Sequence, residues 1–209
     1  MASGRPWPGT GPVRLPALLA CAAMLTLAGS DPGAVAANRQ GQGAGIAVCV
    51  VAPRIGPLDA FDAFGIVLSP EPMLVVVEPL LDLQIQRQAR PPWQRRGSLA
   101  RPILTPLAWP AAPIDPEEPV LLQLRPLGAA PDAFAHVQLV GASAQRMDQT
   151  MRLMESLGAN PDAWLGAFEQ ALENEDVPLA WTLLFDQRSP GSAQLDELRR
   201  AVFERGCGD

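Results

Sequence analysis

The sequence predicts an α+β protein: a mostly β N-terminal part of the mature chain, followed by a C-terminal array of about four short helices. Three observations carry this. Short apolar runs rich in Val, Ile and Leu recur through residues 45–88, each ended by proline, glycine or polar residues. Two more runs follow, at residues 120–124 (VLLQL) and 134–140 (FAHVQLV). From Ser143 the apolar spacing changes from two to three or four, and cap residues bracket each stretch.

Ahead of the strands stands a leader. Residues 1–14 carry Arg5 and Arg14 and no acid; residues 15–27 (LPALLACAAMLTL) are apolar; Gly29-Ser30-Asp31-Pro32-Gly33 and Ala34-Val35-Ala36 follow. A positive end, a short apolar core and small residues at the end make residues 1–36 a secretory signal, with cleavage near Ala36. The run is shorter than the ~20 apolar residues a span requires and holds Pro16, so no transmembrane span is expected after cleavage. A second reading takes Cys21 as a bacterial lipidation site. It leaves only residues 15–20 as the apolar core, below the usual ~7 residues.

Residues 37–88 form the β-rich part. Residues 38–44 (NRQGQGA) are a flexible lead-in. Residues 45–51 (GIAVCVV), 65–69 (GIVLS) and 73–78 (MLVVVE) are continuous apolar runs, short enough for buried strands. Residues 57–64 (PLDAFDAF) suit a short helix, with Pro57 in its first turn and Asp59 near its positive end. In residues 80–88, Leu81, Leu83 and Ile85 alternate with Asp82, Gln84 and Gln86, which is the period of a half-exposed strand.

Residues 89–119 break the pattern. Eight prolines fall here, too many for regular strand pairing, so the segment reads as a loop or linker. Residues 120–141 then form a β-hairpin, with Ala135, Val137 and Leu139 on one face and His136 and Gln138 on the other.

Residues 143–206 are helical. Met147, Met151, Met154 and Leu157 make one stripe ended by Gly158. Asn160-Pro161-Asp162 starts a second helix with Trp164, Leu165, Phe168 and Leu172 inward. Asp176 caps a third, and Ser192 a fourth with Leu195, Leu198 and Val202 inward. These stripes read as core packing. Trp164-Leu165-Gly166 shares residues with the tetratricopeptide start, but the spacing differs and no second copy follows.

Composition excludes several chemistries. Net charge is −6 and every base is Arg, which argues against nucleic acid as a partner. Residues 38–110 hold seven Arg and five acids; residues 115–209 hold seven Arg and sixteen acids. His136 is the only histidine, so a His-based zinc site is not expected, and no serine sits in a nucleophile elbow. Glu173, Glu175 and Asp176 lack the spacing of a calcium loop. No phosphate-cradling glycine loop or dinucleotide fingerprint is present. No cofactor or metal is expected.

Two constellations remain. With Cys21 removed, the mature chain keeps Cys49 and Cys207, and an oxidising compartment pairs them as one disulfide. Arg87, Arg90, Arg95, Arg96 and Arg101 cluster near Trp93 and Trp109. Trp and Arg are the residues most enriched at binding hot spots, so Trp93, Arg95, Arg96, Arg101 and Trp109 are the expected binding residues. The function expected is that of an exported, non-catalytic accessory or protein-binding protein, acting on another protein in the periplasm or extracellular space. One alternative is a small carboxylate-dependent hydrolase using Asp59 and Asp62, three apart on one helix face. The other is a lipid-anchored envelope-assembly factor attached through Cys21.

Overall fold

Two of the three continuous apolar runs, residues 45–51 and 73–78, pair outside the main sheet; the third, residues 65–69, joins it. A computed structural model describes residues 46, 48–55 and 64–205. Its main sheet has five strands, β2 (Phe64–Val67), β4 (Leu80–Arg87), β5 (Trp93–Arg96), β6 (Pro119–Pro126) and β7 (Ala135–Gly141), in the order β2-β7-β6-β4-β5. β2 and β7 are parallel; the other pairs are antiparallel. β1 (Val50–Ala52) and β3 (Val75–Val76) form a separate antiparallel pair. Four helices follow: α1 (Ala144–Leu157), α2 (Pro161–Glu173), α3 (Val177–Phe185) and α4 (Ala193–Arg205). The α+β class expected from the sequence is the class observed.

The alternating strands bury one face. Val120, Leu122 and Leu124 of β6, Ala135, Val137 and Leu139 of β7, and Leu83 and Ile85 of β4 share a core with Val50, Leu74 and Val76. The β1–β3 pair explains the continuous runs at residues 45–51 and 73–78. Val50 and Val76 face the sheet core, while Val51, Ala52 and Val75 pack on Trp181, Phe185 and Val202 of the helices. A strand buried on both faces has no polar position to alternate with.

The helices form a second core around Met154, Trp164, Phe168, Ala180, Leu183, Leu184 and Leu195. Their ends carry the expected caps. Ser143, Asn160 and Asp176 side chains accept from Arg146, Asp162 and Leu179 N–H groups, and Ser192 Oγ accepts from Leu195 N–H. Each cap satisfies an amide that the helix itself leaves unpaired.

Residues 89–119 wrap the domain as a long segment, with one strand that the proline content did not lead one to expect. The proline-free stretch Trp93–Arg96 adds β5 to the edge of β4. Beyond it, Ile103 exchanges backbone hydrogen bonds with Leu80, and Leu107 does so with Leu74, at 2.8–2.9 Å. The Thr105 hydroxyl accepts from Val76 N–H at 2.9 Å and donates to Val76 C=O at 2.5 Å. Ile114 N–H donates to Pro70 C=O, and Ile103, Trp109 and Ile114 are buried in the sheet core. The prolines sit between these anchor points, so the segment is a strap across the sheet core. It closes at Gly141, where a Cβ would come within 2.3 Å of the Asp115 carbonyl oxygen.

Candidate protein-binding edge

β4 carries the clip that fixes the strap. The Arg87 side chain is 4% exposed and faces Glu118, which is 13% exposed. Its Nε donates to Glu118 Oε1 at 2.8 Å, and its terminal nitrogens reach the carbonyls of Ala112 (2.7 Å) and Pro113 (2.6 Å). A second terminal contact closes a bidentate pair with Glu118. Glu118 also accepts from Asp115 N–H at 2.9 Å. The Arg87 hydrogen bonds, the largest influence, hold the Glu118 carboxyl below its ordinary value of 4.5, against burial, which raises it.

β5 is the outer strand of the sheet. Gly97 N–H donates to Leu81 C=O, so Arg95 and Trp93, two and four residues back, also turn their backbone groups to β4. By alternation, the N–H and C=O of Gln94 and Arg96 face away from the sheet. Gln94, Arg95 and Arg96 are exposed. The chain then turns through a bridge between Ser98 and Arg101, putting Leu99, 77% exposed, at the tip.

Arg96 belongs to a row of charges across the open face. Asp82 on β4 lies opposite Arg96 on β5 and Arg125 on β6. Its carboxylate is 3.7 Å from Arg96 Nε and 3.5 Å from an Arg125 terminal nitrogen, and accepts from Gln94 Nε2 at 3.0 Å. Asp82 is buried beneath these groups, which departs from the half-exposed position its period implies. Its burial follows from the two arginines on either side. The neighbouring polar side chains link laterally: Gln86 donates to Gln123 at 2.8 Å, and Gln123 contacts His136 Nε2 at 3.1 Å. His136 is exposed beside buried Ala135 and Val137, a sheet-surface histidine as its alternation implies.

The five expected binding residues divide. Arg95, Arg96 and Arg101 are exposed along this edge. Trp93 is half-buried and packs against the sheet core. Trp109 is 7% exposed, and its Nε1 donates to the Ala112 carbonyl at 2.9 Å. Trp109 therefore anchors the strap and is buried, apart from the exposed arginines. Sequence reasoning missed Asp82 and Arg125, whose pairing depends on register, and Leu99, whose exposure depends on the turn. The absence of any acid between Asp82 and Asp115 was the available signal for the basic edge.

Several expectations lie outside the described residues: the leader with Cys21, the Asp59 and Asp62 pair with all of the expected helix at residues 57–64 except Phe64, which begins β2, and Cys207. Cys49 is described beside β1, where its N–H donates to Glu78 Oε2 at 3.0 Å. Among the described residues, no helix is long and apolar enough to cross a membrane. Among them, no group of three or more His, Cys, Asp or Glu is placed to hold a metal ion. Compared with known proteins, the chain matches no family model, and no curated protein or solved structure is significantly similar to it.

Proposed function

We propose that this is an exported, non-catalytic accessory protein that binds another protein through the edge formed by β5 and the turn to Arg101. The observation that carries this is the exposed positive charge of Arg95, Arg96 and Arg101 there, Arg87 and Arg90 being paired with Glu118 and Asp115. Residues 83–114 hold five arginines and no acid, and Arg95, Arg96 and Arg101 are exposed together. Arginine suits such a surface because its planar donors pair with carboxylates and its charge persists at any physiological pH. The partner is a protein, since a chain of net charge −6 lacks the broad positive field that nucleic acid attracts.

The periplasmic or extracellular site of action rests on the leader, and the Cys49–Cys207 disulfide rests on that compartment. Intact mass of the mature protein should show a chain starting just after Ala36; full-length mass would remove the compartment from the proposal. A non-reducing peptide map of the same sample should recover Cys49 and Cys207 in one species.

The binding surface is tested by replacing Arg95, Arg96 and Arg101 with alanine. Cross-linking in native envelope or medium should lose the partner captured by the wild type. Unfolding in urea should stay cooperative and shift by about 1 kcal/mol, since Arg96 also neighbours the buried Asp82 carboxylate. Undiminished capture of the same partner by the folded variant would place binding elsewhere and end the proposal. Trp93 is left intact because it packs on the core.

A further inference from the structure

We infer that the partner enters as an added β-strand, an extended acidic segment that pairs along β5 and continues the charge row of the sheet. The inference rests on the binding reading above and names its mode and ligand.

The backbone supplies the first argument. Gln94 and Arg96 present two N–H groups and two C=O groups away from β4, and no described residue pairs with them. An unpaired edge is a template for another strand, and strand addition uses main-chain bonds for affinity and alternate side chains for specificity.

The side chains supply the second. Across the open face the row runs Arg125, Asp82, Arg96: positive, negative, positive. One carboxylate thus stands between two guanidinium groups, and Arg125 Nε is buried without a hydrogen-bond partner. Arg96, 74% exposed, ends the row and shares the single Asp82 carboxylate with Arg125. The next strand position opposite Arg96 is where a carboxylate completes the alternation, since opposite charges directly across a ladder attract. The position opposite Arg95 also calls for a carboxylate, on the other face. The position opposite Trp93 calls for an apolar residue, because Trp93 continues the row of Ile85, Leu122 and Val137.

A second copy of this chain fits worse. Two β5 edges side by side would set the basic side chains of one against those of the other, and like charges across a ladder are destabilising. The acidic residues of α1–α4 lie on helices, which offer no free backbone ladder. An antiparallel partner strand meets Arg96, Arg95, Gln94 and Trp93 in the order acid, acid, polar, apolar.

The experiment uses the full mature chain and an end-capped peptide with Glu-Glu-Thr-Leu at its centre and alternating Val and Thr on either side. Titration calorimetry should show binding that weakens about tenfold in Arg96→Glu, the scale of a few exposed charge pairs reversed. It should weaken again at high salt, which screens exposed charges. Two N-methylated peptides then test the ladder, one blocked at odd and one at even positions. One set should abolish binding and the other leave it intact, because a strand turns alternate amides to opposite edges. Equal binding by both would show a charge contact without strand addition, overturning this inference and leaving the binding reading in place. So would no peptide binding at all while the native partner is still captured by the wild type and lost in the Arg95, Arg96, Arg101 variant. No peptide binding together with partner capture by that variant would end both.

Discussion

The strap across the sheet core and the helical array are both well-packed, yet their order comes from opposite sources. Each helix carries its own start signal within a few residues: Ser143, Asn160, Asp176 and Ser192 accept from amides two or three positions ahead. The strap carries none. Its positions are set by partners far along the chain: Leu80 for Ile103, Leu74 for Leu107, and Arg87 for Ala112 and Pro113. Proline content reports whether a segment can pair with a neighbour at every residue. It does not report whether the segment is held.

The largest effect should come from removing the strap's apolar anchor. Trp109→Ala should cost about 3–5 kcal/mol, the usual loss for a buried aromatic. Hydrogen exchange should show the strap amides of Ile103, Leu107 and Ile114 losing protection ahead of those in α2. Uniform loss would mean the two regions do not differ as described.

Arg87→Ala should follow, at about 3 kcal/mol, because it leaves a largely buried Glu118 only the Asp115 amide and the more distant Arg90, and frees two carbonyls. Urea unfolding measures it, and Arg87→Lys should recover only part, since Lys has no bidentate geometry.

A smaller effect of the same clip appears with pH. Glu118 is held below its ordinary value of 4.5, so within that window the unfolded chain binds more protons than the folded one. Stability from this group is therefore fully present above about 4.5 and is lost as pH falls through the lowered folded value. Urea unfolding of wild type and Glu118→Gln at several acidic pH values should show a steeper loss in the wild type. Parallel curves would remove Glu118 from the account.

The smallest effect should be Asn160→Ala, at about 1 kcal/mol for a lost cap. Hydrogen exchange should change in the first turn of α2 while the strap stays protected. A local start signal should fail locally.

The same distinction explains what could be read from the sequence. The helical layer was legible from caps and three-or-four spacing, which are local, although Leu172, expected inward, is 41% exposed. The hairpin of β6 and β7 was legible from alternation. β5 was not, because Trp93-Gln94-Arg95-Arg96 has no apolar period and becomes a strand only by lying beside β4. At the candidate site, Arg95, Arg96 and Arg101 were found as a cluster of charge. The burial of Trp109 was not legible, because interfaces and cores are enriched in the same residue type. Asp82 was hidden because its neighbours Arg96 and Arg125 stand 14 and 43 positions away.

The β1–β3 pair has a consequence for mutational tolerance. Val50 and Val51 are consecutive, yet one belongs to the sheet core and the other to the seam with α3 and α4. In a saturation scan, β6 and β7 should read as a comb, with intolerant positions at 120, 122, 124 and 135, 137, 139 separated by permissive ones. β1 and β3 should read as a solid block, since each step along the strand exchanges one dry surface for another and offers polar residues no side on which to survive.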